Sequence, residues 1–129
     1  MLKNKVKINR QGNLYWFLDG KLHREDGPAV EDIDGAKEWW LNGELHREDG
    51  PAVEDNDGNL YWYLNGKLHR EDGPAVEEIG GYKAWYLKGK PHRLDGPAIE
   101  NPNGTRSWWI DGKELTEEEM DTASVPLIL

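Results

Sequence analysis

Residues 60–69 read LYWYLNGKLH. An aromatic run leads into Asn65-Gly66, and a second short run leads out. Asn-Gly between two such runs is a strong hairpin signal, because a tight turn needs positive φ, which Asn and Gly adopt at little steric cost. The pattern is not local. Trp16, Trp39, Trp62, Trp85 and Trp108 recur every 23 residues, as do Gly20, Gly43, Gly66, Gly89 and Gly112, and His23, His46, His69 and His92. Four full units stand between two half units, without an insertion, and a fixed period of this size marks a repeat architecture.

Within a unit, residues 29–32 lead to a first turn at Asp34-Gly35 and then to an aromatic run at 37–41. A second turn follows at Asn42-Gly43, then residues 44–47 and the loop 48–51. Each unit is therefore a β-hairpin module, and the fold class is all-β. Period-2 alternation separates two faces. Trp16 and its equivalents share one with Leu18, Leu41, Leu64, Leu87 and Ile110, and this face is expected to be buried. Phe17, Trp40, Tyr63, Tyr86 and Trp109 fall on the other, expected to be half exposed. Two registers compete at Asp19-Gly20: a two-residue turn pairs Trp16 with His23, and a three-residue loop bulged at Gly20 pairs Trp16 with Leu22. The bulged loop is favoured, since it places Leu22, Leu45 and Leu68 with the Trp ladder.

The chain has 129 residues, enough for one domain, with seven Trp and five Tyr. Aliphatic material is scarce, so stacked rings are expected to replace a Leu/Ile centre. A net charge of -9 disfavours nucleic acid, whose binders rely on Lys and Arg to displace counterions, and suits a partner protein with a basic surface. The charge is uneven: Lys3, Lys5, Lys7 and Arg10 precede the first acid, Asp19. With no cysteine, thiolate metal sites, disulfides and cysteine nucleophiles drop out together. The longest apolar stretch, residues 14–18, is too short to span a bilayer. The expectation is a cytoplasmic protein, with lipid contact disfavoured by the acidic charge except at the Lys3 to Arg10 end.

Thr116 and Glu119 have capping-box spacing, which predicts a short helix to about Ala123. Residues 1–115 then form the repeat array, and 116–129 a helix with an apolar tail, VPLIL at 125–129. The tail is expected to cover an open end of the array; docking elsewhere, or homo-oligomerisation through it or through the terminal strands, stays open.

The most conserved-looking letters within the chain are LHREDGPAVE at 22–31, repeated identically at 45–54 and 68–77 and worn to PHRLDGPAIE at 91–100. His, Arg and Asp are chemically capable, but their spacing argues against a shared centre. Two strands per unit at about 4.8 Å put equivalent atoms about 10 Å apart, too far for two ligands of one zinc at about 2.0–2.1 Å each. The carboxylates likewise miss the about 5–5.5 Å of a retaining glycosidase. No metal, cofactor or catalytic residue is therefore assigned. The favoured reading is structural: Arg24 pairs with Asp26 or with loop carbonyls, Pro28 stiffens the loop, and His23 stacks on the aromatic ladder while bonding a backbone carbonyl. The secondary reading is that His23, Arg24, His46, Arg47, His69, Arg70, His92 and Arg93 form an exposed row that reads an extended partner or holds small anions.

The run Tyr61-Trp62-Tyr63-Leu64-Asn65-Gly66-Lys67-Leu68-His69, followed by Asp72-Gly73, resembles the MORN family of hairpin repeats in period, aromatic strand and N-G-K turn. It departs where Arg24, Arg47, Arg70 and Arg93 replace the family's Gly, and there it is similar to H-R-x-D-G-P-A repeats of phage, bacterial and giant-virus proteins. The resemblance implies an elongated, twisted antiparallel sheet acting as a binding or spacing module. Lipid binding has been proposed for some members, others bind helical protein partners, and a bacterial variant is described as an antitoxin. The expected function is non-enzymatic protein binding through Phe17, Trp40, Tyr63, Tyr86, Trp109 and an acidic rim. An inhibitor or decoy of a host or defence protein, acting in the host cytoplasm if viral, is its sharpest form. The alternatives are sequestration of a nucleotide-like ligand between aromatic and Arg side chains, and a spacer or antitoxin-like partner.

Overall fold

The computed structural model of the chain describes residues 4–123. Its principal sheet is antiparallel and twelve-stranded, and strand order follows chain order apart from the short strand Lys21–Leu22, which hangs off Leu14–Leu18. The hairpin array and the C-terminal helix, Glu117–Ala123, are both present. The sheet is open, with Asn4–Ile8 along one edge and Lys113–Leu115 along the other.

One unit explains the rest. Val30–Glu31 pairs with Lys37–Glu38, which pairs onward with Val53–Glu54, while Trp40–Leu41 turns back onto Glu44–Leu45. Trp39 joins the two halves: its N–H donates to Ala52 O at 2.7 Å and its carbonyl accepts from His46 N–H at 3.0 Å. Residues 37–41 thus behave as one strand whose neighbour on that side is interrupted by the loop 47–51. On the other side Arg24 N–H donates to Trp40 O at 3.0 Å and Gly43 N–H to Leu22 O at 2.9 Å. These bonds stitch each small hairpin to the one before it.

The two turn types differ in a way that sets the register. At the hairpin tips Asp19, Asn42, Asn65, Lys88 and Asp111 have φ of 49–51° and the Gly after each also has positive φ. Two successive positive φ values make a type I′ turn, whose twist matches that of the flanking strands. Phe17 therefore lies opposite Leu22 and Leu18 opposite Lys21. The bulged register expected from the sequence is overturned: Trp16 faces His23, whose N–H donates to Trp16 O at 3.0 Å. Leu22, Leu45 and Leu68 move to the other face as partners of Phe17, Trp40 and Tyr63. The glycine bulge belongs instead to the first turn, where Asp32 N–H donates to Ala36 O at 2.9 Å and Gly35 N–H to Asp32 O at 3.0 Å. There only Gly35 has positive φ.

This register builds one face from alternating residues. Trp16, Ala29, Trp39, Ala52, Trp62, Ala75, Trp85, Ala98 and Trp108 succeed one another across the strands, and the four alanines are fully buried. Strands stand about 4.8 Å apart, so two indoles can occupy alternate strands only if the strand between them carries a small side chain. A Leu/Ile centre is absent among the described residues, but the buried apolar set is Ala, Val30, Val76 and Met120 rather than stacked rings, and no large side chain is fully buried. The Trp series itself is half-buried rather than buried.

The helix begins as its capping box predicts. Thr116 N–H donates to Glu119 Oε1 at 2.9 Å, and Glu119 N–H to Thr116 Oγ1 at 3.0 Å. Leu115 and Thr116 stand one period beyond His92 and Arg93, so the helix takes the place of a fifth Arg loop and packs against the last two strands, with Met120 buried. The role expected for residues 125–129 lies outside the described residues. No helix is long and apolar enough to cross a membrane among the described residues.

Candidate binding surfaces

Arg24, Arg47, Arg70 and Arg93 fold back over the tryptophan of their own unit, with guanidinium carbons 4.0, 3.7, 3.9 and 3.8 Å from the ring centroids. Each is held on all sides. Arg47 Nε donates to Asp49 Oδ1 at 3.2 Å, and Nη1 donates to Pro51 O at 3.0 Å and to Glu54 Oε2 at 3.1 Å. The expected Arg–Asp pair and carbonyl bond are thus both made. The glycine of the motif is a packing requirement: a Cβ on Gly27, Gly50, Gly73 or Gly96 would lie 2.8–3.0 Å from the guanidinium carbon, and none of these residues has positive φ.

The histidines do a different job from the one expected. Instead of donating to a carbonyl, the Nδ1 of His23, His46, His69 and His92 accepts the backbone N–H of Asn42, Asn65, Lys88 and Asp111 at 2.9–3.0 Å. That N–H belongs to the type I′ turn of the next unit, so each imidazole ties two hairpins together. Acceptance at Nδ1 assigns the neutral ring's proton to Nε2, which faces Glu25, Glu48 and Glu71 at 3.3, 3.4 and 3.5 Å. In the fourth unit Leu94 takes that carboxylate's place. The His side chains are 9–15 % exposed and the Arg side chains 22–24 %. The His/Arg row expected to be exposed is thus mostly buried: these groups face the Trp ladder and are bonded within the scaffold, and His46, His69, His92 and the four Arg also line the clefts between loops.

What the motif creates is the space between its copies. Three equivalent clefts, of 660, 640 and 680 Å3, separate successive loops. Trp39 and Leu41 floor the first, Trp62 and Leu64 the second, Trp85 and Leu87 the third. Carboxylates stand on both sides of each, as Glu25 and Asp26 do opposite Glu48 and Asp49.

The predicted docking row, Phe17, Trp40, Tyr63, Tyr86 and Trp109, lies on the opposite face and is half-buried along its length. Its members alternate with Leu22, Leu45, Leu68 and Pro91. Trp40 Nε1 donates to Glu38 Oε1 at 2.8 Å and Trp109 Nε1 to Ser107 Oγ at 2.9 Å, and Lys7 Nζ lies 5.3 Å from the Phe17 ring centroid. On the same face Tyr61 donates to Glu78 Oε2 at 3.0 Å; burial, followed by that carboxylate, pushes its hydroxyl pKa up to about 12. The ladder and the acidic rim, placed together by the sequence reading, are thus separated, because the one-residue register change sends the loops to the Trp16 face. Among the described residues no group of three or more His, Asp or Glu side chains could hold a metal ion. Compared with family models, curated proteins and solved structures, the chain gives no match.

The sequence reading missed the alanine spacers and the glycine contacts, although both sat in the identical letters G-P-A. It also missed an edge contact made by two of the units. Asn13 Oδ1 accepts from Ile33 N–H and Asn59 Oδ1 from Ile79 N–H, each at 2.9 Å and each 20 residues away, whereas Ala36, Tyr82 and Thr105 stand at that position in the other units.

Proposed function

We propose that this protein is a non-enzymatic binding module that docks another protein on the face carrying Phe17, Trp40, Tyr63, Tyr86 and Trp109. The observation that supports the reading is the single-layer architecture. Arg loops fill one face of the sheet, while the other presents paired aromatic and aliphatic side chains with no second layer over them among the described residues. A sheet with an apolar face is stable when another layer covers it, and Trp and Tyr in well-packed rows are the side chains that dominate interface energetics. Since the loop acids belong to the other face, and Glu38 and Glu78 on this one are bonded to Trp40 and Tyr61, the contact at this row is apolar rather than charge-driven. The likeness of H-R-x-D-G-P-A to phage repeats supports the narrower reading, an inhibitor or decoy acting on a host protein.

The alternative, a nucleotide-like ring held between an aromatic side chain and Arg, meets a geometric obstacle. Each guanidinium already covers one face of its tryptophan, at 3.7–4.0 Å from the centroid, so a stacked ring would have to enter from the cleft side, between carboxylates that repel a phosphate.

The test is a Trp40→Ser/Tyr63→Ser variant compared with Lys37→Ala/Lys83→Ala on the opposite face, both with wild-type circular dichroism. A partner identified by co-purification should bind the first at least about ten-fold more weakly and the second unchanged, and should protect amides near residues 40 and 63 from exchange. Equal binding to both variants, or protection confined to the Arg loops, would sink the reading.

A further inference from the structure

The three clefts have a period of their own. Each is one unit from the next, two strands at about 4.8 Å, so they recur about every 9.6 Å. A ligand that engages all three must present like side chains at that spacing and in one direction. A β-strand covers it in three residues, about 10 Å, but its third side chain points the opposite way. An α-helix rises about 1.5 Å per residue, and its two-turn, seven-residue repeat spans about 10.5 Å, which drifts by about 0.9 Å per cleft. A polyproline II helix has three residues per turn and rises about 3.1 Å per residue. Every third side chain therefore returns to the same side after about 9.3 Å, and the mismatch over two intervals stays near 0.6 Å.

Cleft chemistry selects the side chain. Indole and leucine on the floor of the first two clefts suit an aliphatic stem, and long cationic side chains lay such stems on apolar surface while keeping the charged head in water. At the mouth, Glu25, Asp26, Glu48, Asp49, Glu71 and Asp72 have side chains 80–90 % exposed. Arg24, Arg47 and Arg70 already pair with the aspartates of that set and the Nε2 of His23, His46 and His69 faces the glutamates at 3.3–3.5 Å, but the carboxylates outnumber the guanidinium groups two to one. The third cleft differs, since the exposed Leu94 replaces the glutamate on its far side.

We propose that the cleft face binds a proline-rich peptide in the polyproline II conformation, with Lys or Arg at every third residue entering successive clefts. The first two clefts require the cation and the third also tolerates an apolar side chain. This site is on the opposite face from the proposed docking row and does not depend on it.

Two fluorescein-labelled peptides of identical composition and length provide the probe: one made of four Lys-Pro-Pro triplets, the other carrying the same residues as four Lys-Pro pairs followed by the remaining prolines. Fluorescence anisotropy at low ionic strength should give the triplet peptide at least about ten-fold higher affinity. That preference should be lost in Glu48→Gln/Glu71→Gln and kept in Trp40→Ser/Tyr63→Ser. Equal affinity for the two peptides reduces the effect to bulk charge and overturns the proposal, as does absence of binding or an unchanged preference in the glutamine variant. Loss of peptide binding in a folded Trp40→Ser/Tyr63→Ser variant would overturn the choice of face without bearing on whether that row also docks a protein.

Discussion

At the scale of single residues, two positions isolate what the repeat demands of its side chains. Lys88 occupies the first position of a type I′ turn with φ of 51°, where the other units have Asp or Asn. The left-handed region costs an ordinary L-residue about 1 kcal/mol, and Asn or Asp less, so Lys88→Asn should stabilise the protein by roughly 0.5–1 kcal/mol, read as a raised midpoint in urea at unchanged slope. Gly50 tests the opposite constraint, contact without conformational strain. Its added Cβ would meet the Arg47 guanidinium carbon at 2.9 Å, whereas one on Gly80 meets nothing within 4 Å. Gly50→Ala should therefore cost about 1–3 kcal/mol and shift the fluorescence of the protein as Arg47 leaves Trp39. Gly80→Ala, a matched control at a position without positive φ, should be neutral or stabilising by up to about 1 kcal/mol. Equal effects at the two glycines would mean that the Arg–Trp stack does not constrain the loop.

At the scale of elements, the sequence located every hairpin and the helix but could not choose between two turns spelled alike. Asp19-Gly20 and Asp34-Gly35 share the same letters, yet the first is a two-residue turn and the second the end of a bulged one. The difference is set by context. At the tip, the N–H of the following turn is taken by a histidine 19 residues earlier, a contact that no local pattern reports. At the first turn an Asx side chain collects the loop amides, as Asp55 does for Asp57 and Asn59 at 3.0 and 2.8 Å. Burial raises that carboxyl, but these bonds outweigh it and hold its pKa below the ordinary value. The capping box was legible because it is wholly local. It also carries a pH prediction. The backbone N–H of Thr116, then its hydroxyl, holds the Glu119 carboxyl below its usual pKa. A depressed folded-state value contributes stability that is present above the unfolded pKa and lost as pH falls through the folded one. Amide protection at Glu119 and Met120 should persist down to the ordinary glutamate range and disappear below it, while the array stays folded. Thr116→Ala should weaken the same amides by about 1 kcal/mol at neutral pH; unchanged protection in that variant would show that packing of Met120 alone holds the helix.

At the scale of the whole molecule, the array is close to one-dimensional, since the bonds that cross between units run only to neighbours, from His to the next turn and from Arg N–H to the next strand. In such a system stability is a sum of unit and interface contributions, and a unit can be removed without loss of the fold. Deleting residues 47–69 joins His46 to Arg70 in frame with the period and preserves every contact type but two. Ile79 would then face Ala36 in place of Asn59, and Glu78 would face Glu38 in place of Tyr61, so two hydrogen bonds, now 2.9 and 3.0 Å, disappear at a cost of about 1 kcal/mol each. The shortened chain should give a wild-type β spectrum and unfold in one transition with a lower urea slope, because the slope follows the surface exposed on unfolding. It should also keep two clefts, and so lose affinity for the triplet peptide without losing its preference over the pair-spaced one. A deletion of half that length sets Trp against Trp where Ala must stand between them, and should not fold. If the full-unit deletion also fails to fold, stability is not distributed along the array but concentrated in a segment that includes residues 47–69, and the independence assumed for each cleft fails with it.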